Sequence, residues 1–88
     1  MDKCFRLVVA TGEATILDTS VSYVNLPTGF GSIGVLANHE AMLCAVSAGV
    51  VRYRTEEGGE ERLRVSEGVA SVADNEMTLL VHDAKSFE

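Results

Sequence analysis

The stretch Pro27-Thr28-Gly29-Phe30-Gly31-Ser32-Ile33-Gly34-Val35-Leu36-Ala37-Asn38-His39 decides the reading of this chain, together with Ala41-Met42-Leu43 and Gly49-Val50-Val51 beyond it. An alternating strand, Val21 to Leu26, ends at Pro27, because proline cannot donate to a ladder. Gly29, Gly31 and Gly34 follow and allow a tight loop that approaches another backbone closely. A glycine-rich loop can also cradle phosphate, but that device needs a helix N-terminus behind it and usually a lysine. Neither is present here. An apolar run, Ile33 to Ala37, and a turn at Asn38-His39-Glu40 come next.

Outward from this stretch, period two dominates. Phe5, Leu7 and Val9 alternate with Arg6 and Val8, which predicts a first strand. A turn at Thr11-Gly12-Glu13 leads to a second short strand, Ala14 to Asp18. Strict alternation over Val21 to Leu26 puts Val21, Tyr23 and Asn25 on one face and Ser22, Val24 and Leu26 on the other. Met42 to Val46 is read as a strand between close-set strands, although Ala, Met and Leu over Glu40 to Ala48 would also suit a helical turn.

The second half reads as two hairpins. The inward set Val51, Tyr53 and Thr55 must meet Leu63 and Val65, and a one-residue slip would mix the faces. An odd loop, Gly58-Gly59-Glu60, with a glycine at positive φ, keeps them together. It pairs Tyr53 with Val65, Thr55 with Leu63, Glu56 with Arg62 and Arg54 with Arg64. The last hairpin turns at Asp74-Asn75, two residues suited to a type I′ turn. That register pairs Val72 with Met77, Ala70 with Leu79, Ser71 with Thr78 and Val69 with Leu80. The last pair is apolar where a solvated face should be polar, so it marks either a partner surface or a second packed layer.

Eight to ten short strands with frequent turns imply an all-β chain, an antiparallel β-sandwich of two sheets, or a barrel. The absence of a βαβ pattern excludes a parallel nucleotide-binding sheet. The 88 residues, 47% of them hydrophobic, predict one domain over 1–88. A chain of this size buries only about 60–65% of its unfolded surface.

The net charge of −6 and the lack of a Lys/Arg tract argue against nucleic-acid and anionic-lipid partners. Met1-Asp2-Lys3 leads directly into a strand, with no secretory signal. The apolar runs are far short of the roughly 20 residues that cross a bilayer, so no direct membrane insertion is expected. Cys4 and Cys44 read as two reduced thiols. Two Cys and two His at these spacings do not make a metal site.

His39 has three readings: a turn histidine bonded to nearby backbone, an interface contact, or a catalytic group lacking an orienting partner. Its charge can vary between pH 5 and 8. Arg52, Arg54, Arg62 and Arg64 alternate with inward residues and read as a solvated, salt-bridged face or a docking face. Glu56, Glu57, Glu60 and Glu61 read as a solubilising hairpin tip, without the alternating oxygen ligands of a calcium loop. Cys44, beside Leu43, reads as core.

The series from Phe5-Arg6-Leu7-Val8-Val9 through Gly31-Ser32-Ile33-Gly34-Val35-Leu36 with His39, Gly49-Val50-Val51-Arg52, Val65-Ser66-Glu67-Gly68-Val69-Ala70-Ser71-Val72 and Asn75 to Leu80 resembles the first domain of the epsilon subunit of F-type ATP synthases. The likeness is colinear over nearly the whole chain. Ser32 stands where that family usually carries an acidic residue, and Ala37-Asn38 where it carries Pro-Gly. The resemblance implies a ten-stranded sandwich at the foot of the central stalk, between the gamma subunit and the membrane ring. Thr28, Gly29, Phe30, Gly31 and Ser32 would contact the ring. His39, Met42 and Leu43 would lie near gamma and the ring, with Val69 and Leu80 as further stalk contacts.

The implied role is a rotor part without cofactor or catalytic group, coupling ion translocation to ATP synthesis. Its place is peripheral to the membrane on the catalytic-head side, which is the cytoplasmic face of the inner membrane in a bacterium. The family usually continues into a helical hairpin that restrains ATP hydrolysis and in some members binds ATP. This chain closes at Ala84-Lys85-Ser86-Phe87-Glu88, so the expectation is that both properties are absent. The rival reading is a stand-alone sandwich that binds a small ligand or peptide. An enzyme is poorly supported, because no acid, base and nucleophile can be assembled.

Overall fold

The computed structural model describes residues 3–86 and contains nine strands. They are β1 Phe5–Ala10, β2 Thr15–Thr28, β3 Gly31–Leu36, β4 Met42–Val46, β5 Gly49–Thr55, β6 Glu60–Val65, β7 Gly68–Ala73, β8 Glu76–Val81 and β9 Ala84–Ser86. The expected strand over Met42 to Val46 is there as β4, paired to β7, and the helical alternative is not formed. The order is β4-β7-β8-β1-β2-β5-β6-β9, with β3 attached to β2. Layer one holds β4, β7, β8, β1 and the first half of β2. Layer two holds β3, the second half of β2, β5, β6 and β9.

The two layers therefore share one strand. The stretches 14–18 and 21–26, expected as separate strands, merge from Thr15 onward into the 14-residue β2. Thr15 to Val21 pairs with β1, and Val21 to Thr28 pairs with β5 and β3. A register shift between Val21 and Tyr23 lets the strand change layers. The extra residue of such a bulge reverses the inward parity. Val21 is thus buried together with Val24 and Leu26, while Tyr23 and Asn25 turn outward. Simple alternation assigned Val21 to the opposite face.

Pro27 does not end the strand either. Pairing to β5 stops at Asn25↔Arg52, so the missing N–H of Pro27 costs no ladder bond on that side. Its carbonyl accepts from the Ser47 N–H at 3.0 Å, which ties the end of β4 to the end of β2.

One pairing departs from the antiparallel rule: β1 runs parallel to β8, from Arg6↔Glu76 to Ala10↔Leu80. The Asp74-Asn75 hairpin has the expected register throughout, with φ of 53° and 61° at its two central residues. The β5–β6 hairpin keeps the expected odd parity, but its turn lies two residues earlier, so Tyr53 meets Glu61 rather than Val65 and Thr55 does not meet Leu63. Val51 meets Leu63, Arg52 meets Arg62 and Arg54 meets Glu60. The loop is Glu56-Glu57-Gly58, closed by the Thr55 N–H on the Gly59 carbonyl at 2.8 Å, and Gly58 takes φ 97°. A three-residue loop ending in a left-handed glycine is a favoured hairpin closure, and it won over the Gly58-Gly59-Glu60 alternative. Glu56 consequently does not face Arg62, and Arg54 does not face Arg64.

Inward side chains from both layers fill the core. β1 gives Phe5, Leu7 and Val9; β8 gives Met77, Leu79 and Val81; β5 and β6 give Val51, Tyr53, Leu63 and Val65. β7 approaches β8 so closely at Gly68 that a Cβ there would sit 2.1 Å from the Leu80 carbonyl oxygen.

Candidate docking surfaces

The β2–β3 hairpin carries the proposed ring-facing loop. Thr28 pairs with Gly31, leaving Gly29-Phe30 as its tip. The Thr28 hydroxyl donates to the Gly31 carbonyl and accepts from the Phe30 N–H at 3.2 Å, which shapes the tip. Gly31 takes φ 108°, a conformation that only glycine adopts readily. A Cβ at Gly29 would meet nothing within 4 Å, and one at Gly34 would meet the Tyr23 ring rather than another backbone. The structure thus assigns the need for glycine to Gly31 and Gly34, for different reasons. Phe30 is fully exposed, at 104%. Beneath it an apolar recess of about 390 Å³ is lined by Thr28, Gly29, Phe30, Ile33, Cys44 and Ala45.

β4 continues this apolar surface onto the outer face of layer one. The registers set Ala45 beside Val69, Val69 beside Leu80, and Leu80 beside Ala10. Leu43 stands in the next row, opposite Ser71. Leu43, Val69 and Leu80 are 74%, 45% and 52% exposed. They are therefore not an internal second layer. The structure brings three of the expected stalk-contact residues onto one face. Met42, which points the other way on β4, packs against the core instead. Ile16 adds a further exposed apolar side chain on β2. Sequence reading missed Ala45, Ala10 and Ile16, because a single alanine or isoleucine carries no signal until the register is known.

His39 sits at the end of the sandwich. Its Nδ1 lies 2.7 Å from the Glu40 carbonyl. A carbonyl only accepts, so this nitrogen carries the proton. The turn is held by a residue the sequence reading used only as a turn former. The Asn75 Oδ1 accepts from the Asn38 N–H at 2.7 Å, and its Nδ2 donates to the Cys4 carbonyl at 2.9 Å. The Asn75 carbonyl also accepts from the Arg6 N–H at 3.2 Å. One asparagine thereby clamps the β3–β4 turn, the β7–β8 turn and the start of β1. Asn38 stands at φ 62°, which asparagine tolerates better than most residues.

Electrostatics here are local. The Arg6 guanidinium grips Asp18 through Nε and Nη2 at 2.9 and 2.6 Å and reaches Glu76 at 3.3 Å. The hydrogen bond from Arg6 holds the Asp18 carboxyl below its usual range, and Arg6 itself is raised. Burial pushes the Cys44 thiol up from 9.0 and, with help from Glu61, the Tyr53 hydroxyl up from 10.0. A raised thiol is the reverse of what a nucleophile needs. Cys4 and Cys44 are both free and half-buried. Among the described residues, no three His, Cys, Asp or Glu side chains gather to hold a metal, and no helix is long and apolar enough to cross a membrane.

The sandwich presents an exposed aromatic tip and a continuous apolar face. Comparison with known proteins gives this fold a family. The family model for the ATP synthase delta/epsilon chain β-sandwich domain matches residues 4–87, and the chain belongs to this family. The ATP synthase epsilon chain of Desulfitobacterium hafniense is 37% identical over 84 residues, covering 96% of this chain and 63% of the relative. The chloroplastic epsilon chain of Piper cenocladum is 38% identical over 80 residues, covering 91% and 59%. The chain thus spans less than two thirds of the length of these relatives. The same fold occurs in a structure of the Euglena gracilis mitochondrial ATP synthase OSCP/F1/c-ring, at a TM-score of 0.91 with 24% identity, covering 98% of this chain and 55% of that one. It occurs again in the Tetrahymena thermophila mitochondrial ATP synthase central stalk and c-ring, at 0.76 with 17% identity, covering 92% and 65%.

Proposed function

We propose that this domain is a rotor part of an F-type ATP synthase, docking on the gamma subunit through the outer face of layer one. Leu43, Val69 and Leu80 are the centre of that contact, and His39 stands at its end. The Thr28 to Ser32 tip, led by Phe30, meets the polar loops of the membrane ring. The domain performs no chemistry and holds no cofactor; it transmits rotation between ion flow and ATP synthesis. It lies peripherally on the catalytic-head side of the membrane. The observation that carries this reading is the exposed apolar row Ala45, Val69 and Leu80 with Leu43 beside it, on a chain of the epsilon-chain sandwich family.

A pull-down against purified gamma subunit tests it. The parent chain should bind one to one. Val69→Asp with Leu80→Asp should weaken binding by about 2 kcal/mol or more, as for central apolar contacts, while the melting temperature holds. Ser32→Ala should leave gamma binding intact. No binding at concentrations of tens of micromolar by the folded domain would sink this reading in favour of a stand-alone ligand module using the recess beneath Phe30.

A further inference from the structure

Phe30 stands at the tip of the β2–β3 hairpin between Gly29 and Gly31, so no neighbouring side chain in sequence covers its ring, and it is fully exposed. A single exposed apolar side chain calls for no partner. Here, however, it flanks the apolar recess of about 390 Å³ whose other walls are Thr28, Gly29, Ile33, Cys44 and Ala45. An apolar cavity of about 150 Å³ accommodates benzene, so this recess has room for a phenyl ring. The chain's own Phe30, standing in solvent, leaves it unfilled. One molecule therefore carries a knob and a hole side by side. The surroundings carry no charge. The chain has thirteen Asp and Glu and seven Lys and Arg, yet none between Asp18 and Glu40 and none between Glu40 and Arg52. Every residue lining the recess falls in those two stretches.

We propose that two copies of this chain pair about a twofold axis at the β2–β3 tip, each Phe30 seated in the recess of the other. A knob beside a hole is self-complementary under a twofold, the commonest symmetry of soluble dimers. The net charge of −6 sets two copies against each other over about 10 Å, so they meet best where neither carries charge. A small apolar molecule would fill the recess and leave Phe30 in water; a second copy covers both. The tip is already shaped for this, because the Thr28 hydroxyl accepts from the Phe30 N–H at 3.2 Å and Gly31 takes φ 108°. A phenylalanine buries about 150–250 Å², so two rings and the walls they cover come to about 600–1,000 Å², the low end for a specific contact. The dimer is accordingly weak and reversible, with a dissociation constant on the order of 0.1 mM. The pairing goes beyond the stalk reading. It covers the tip which that reading gives to the ring, and it is measured on this chain alone, so either can fail without the other.

The test is sedimentation equilibrium of the full chain from about 10 µM to about 1 mM. The parent should show monomer and dimer, and association should tighten as salt rises, because screening removes the net repulsion. Phe30→Ser should weaken association about thirtyfold or more with an unchanged melting temperature. Gly29→Glu, whose Cβ stands in open space, puts a charge on the rim of the recess and should do the same. Leu36→Ser removes another exposed apolar side chain, at the far end of β3, and should leave association within about twofold. Val69→Ser with Leu80→Ser should behave like that control. In an equal mixture of isotope-labelled and unlabelled chain, filtered Overhauser contacts should run from the Phe30 ring of one copy to the Ile33 methyls of the other. A parent that stays monomeric at the highest concentration overturns the proposal, and movement of its Ile33 and Ala45 methyl signals on adding benzene would then assign the recess to a small apolar ligand. A dimer without those contacts overturns it too, as does one weakened equally by Leu36→Ser, or lost in the Val69 and Leu80 pair and kept in Phe30→Ser.

Discussion

Replacing Asn75 by glycine isolates the clamp at the end of the sandwich. The turn itself should survive, because glycine accepts the φ of 61° at this position. The two side-chain bonds, from Asn38 N–H at 2.7 Å and to the Cys4 carbonyl at 2.9 Å, disappear. Each contributes about 0.5–1.5 kcal/mol. Relief of left-handed strain and the freer unfolded chain oppose each other, so the loss is about 1–3 kcal/mol. For a domain of this size each kcal/mol moves the melting point by about 4–8 °C. Asp74→Gly is the control, since its side chain makes no such bond. It should shift melting by less than half as much, while Asn38 amide exchange accelerates only in Asn75→Gly. Asn75→Asp keeps the acceptor but faces a carboxylate to the Cys4 carbonyl. Folding then favours the protonated form, so this variant should regain stability as pH falls through the range of its carboxyl. Equal melting of the two glycine variants, or unchanged exchange at Asn38, would refute the clamp.

Other expectations concern single sites. Gly68→Ala should cost on the order of 3 kcal/mol or more and empty the soluble fraction, because its Cβ would meet backbone at 2.1 Å; Gly29→Ala, in open space, should melt near the parent. The Arg6–Asp18 pair has a lowered folded carboxyl, so its stabilisation is complete above the ordinary value of 3.8 and is lost as pH falls through the lowered one. Asp18→Asn should therefore flatten that part of the acid-unfolding curve. Cys44 should alkylate slowly at neutral pH, with a rate that climbs with pH and is still climbing past the ordinary thiol value of 9.0, as read by mass spectrometry of iodoacetamide-treated protein.

Much of the sandwich could be read from alternation and turn chemistry. The Asp74-Asn75 register follows from two residues that tolerate left-handed backbone, and the Val69–Leu80 pair it makes was legible before any coordinates, whereas its exposure was not. Where alternation failed, a bulge intervened: nothing in Ser22 announces that β2 changes layers there. Both odd loops of the β5–β6 hairpin satisfy parity, so only local closure at Gly58 separates them, and the like-charge pair expected at Arg54 and Arg64 falls at Arg52 and Arg62 instead. Long-range contacts left no trace. The Asn75 clamp joins residues far apart in sequence, and an asparagine in a turn explains itself without it.

The parallel pairing of β1 with β8 sets an order of events during synthesis. Arg6 finds its neighbour Glu76 seventy residues later, so β1 can meet β2 soon after both leave the ribosome but waits for β8 before its other edge closes. Pairings of such separation close slowly. In that interval a nascent chain presents an open strand edge above Leu7 and Val9, a template for pairing with a neighbouring chain. Translation speed and chaperone access, rather than native stability, would then govern how much of this domain reaches its folded form.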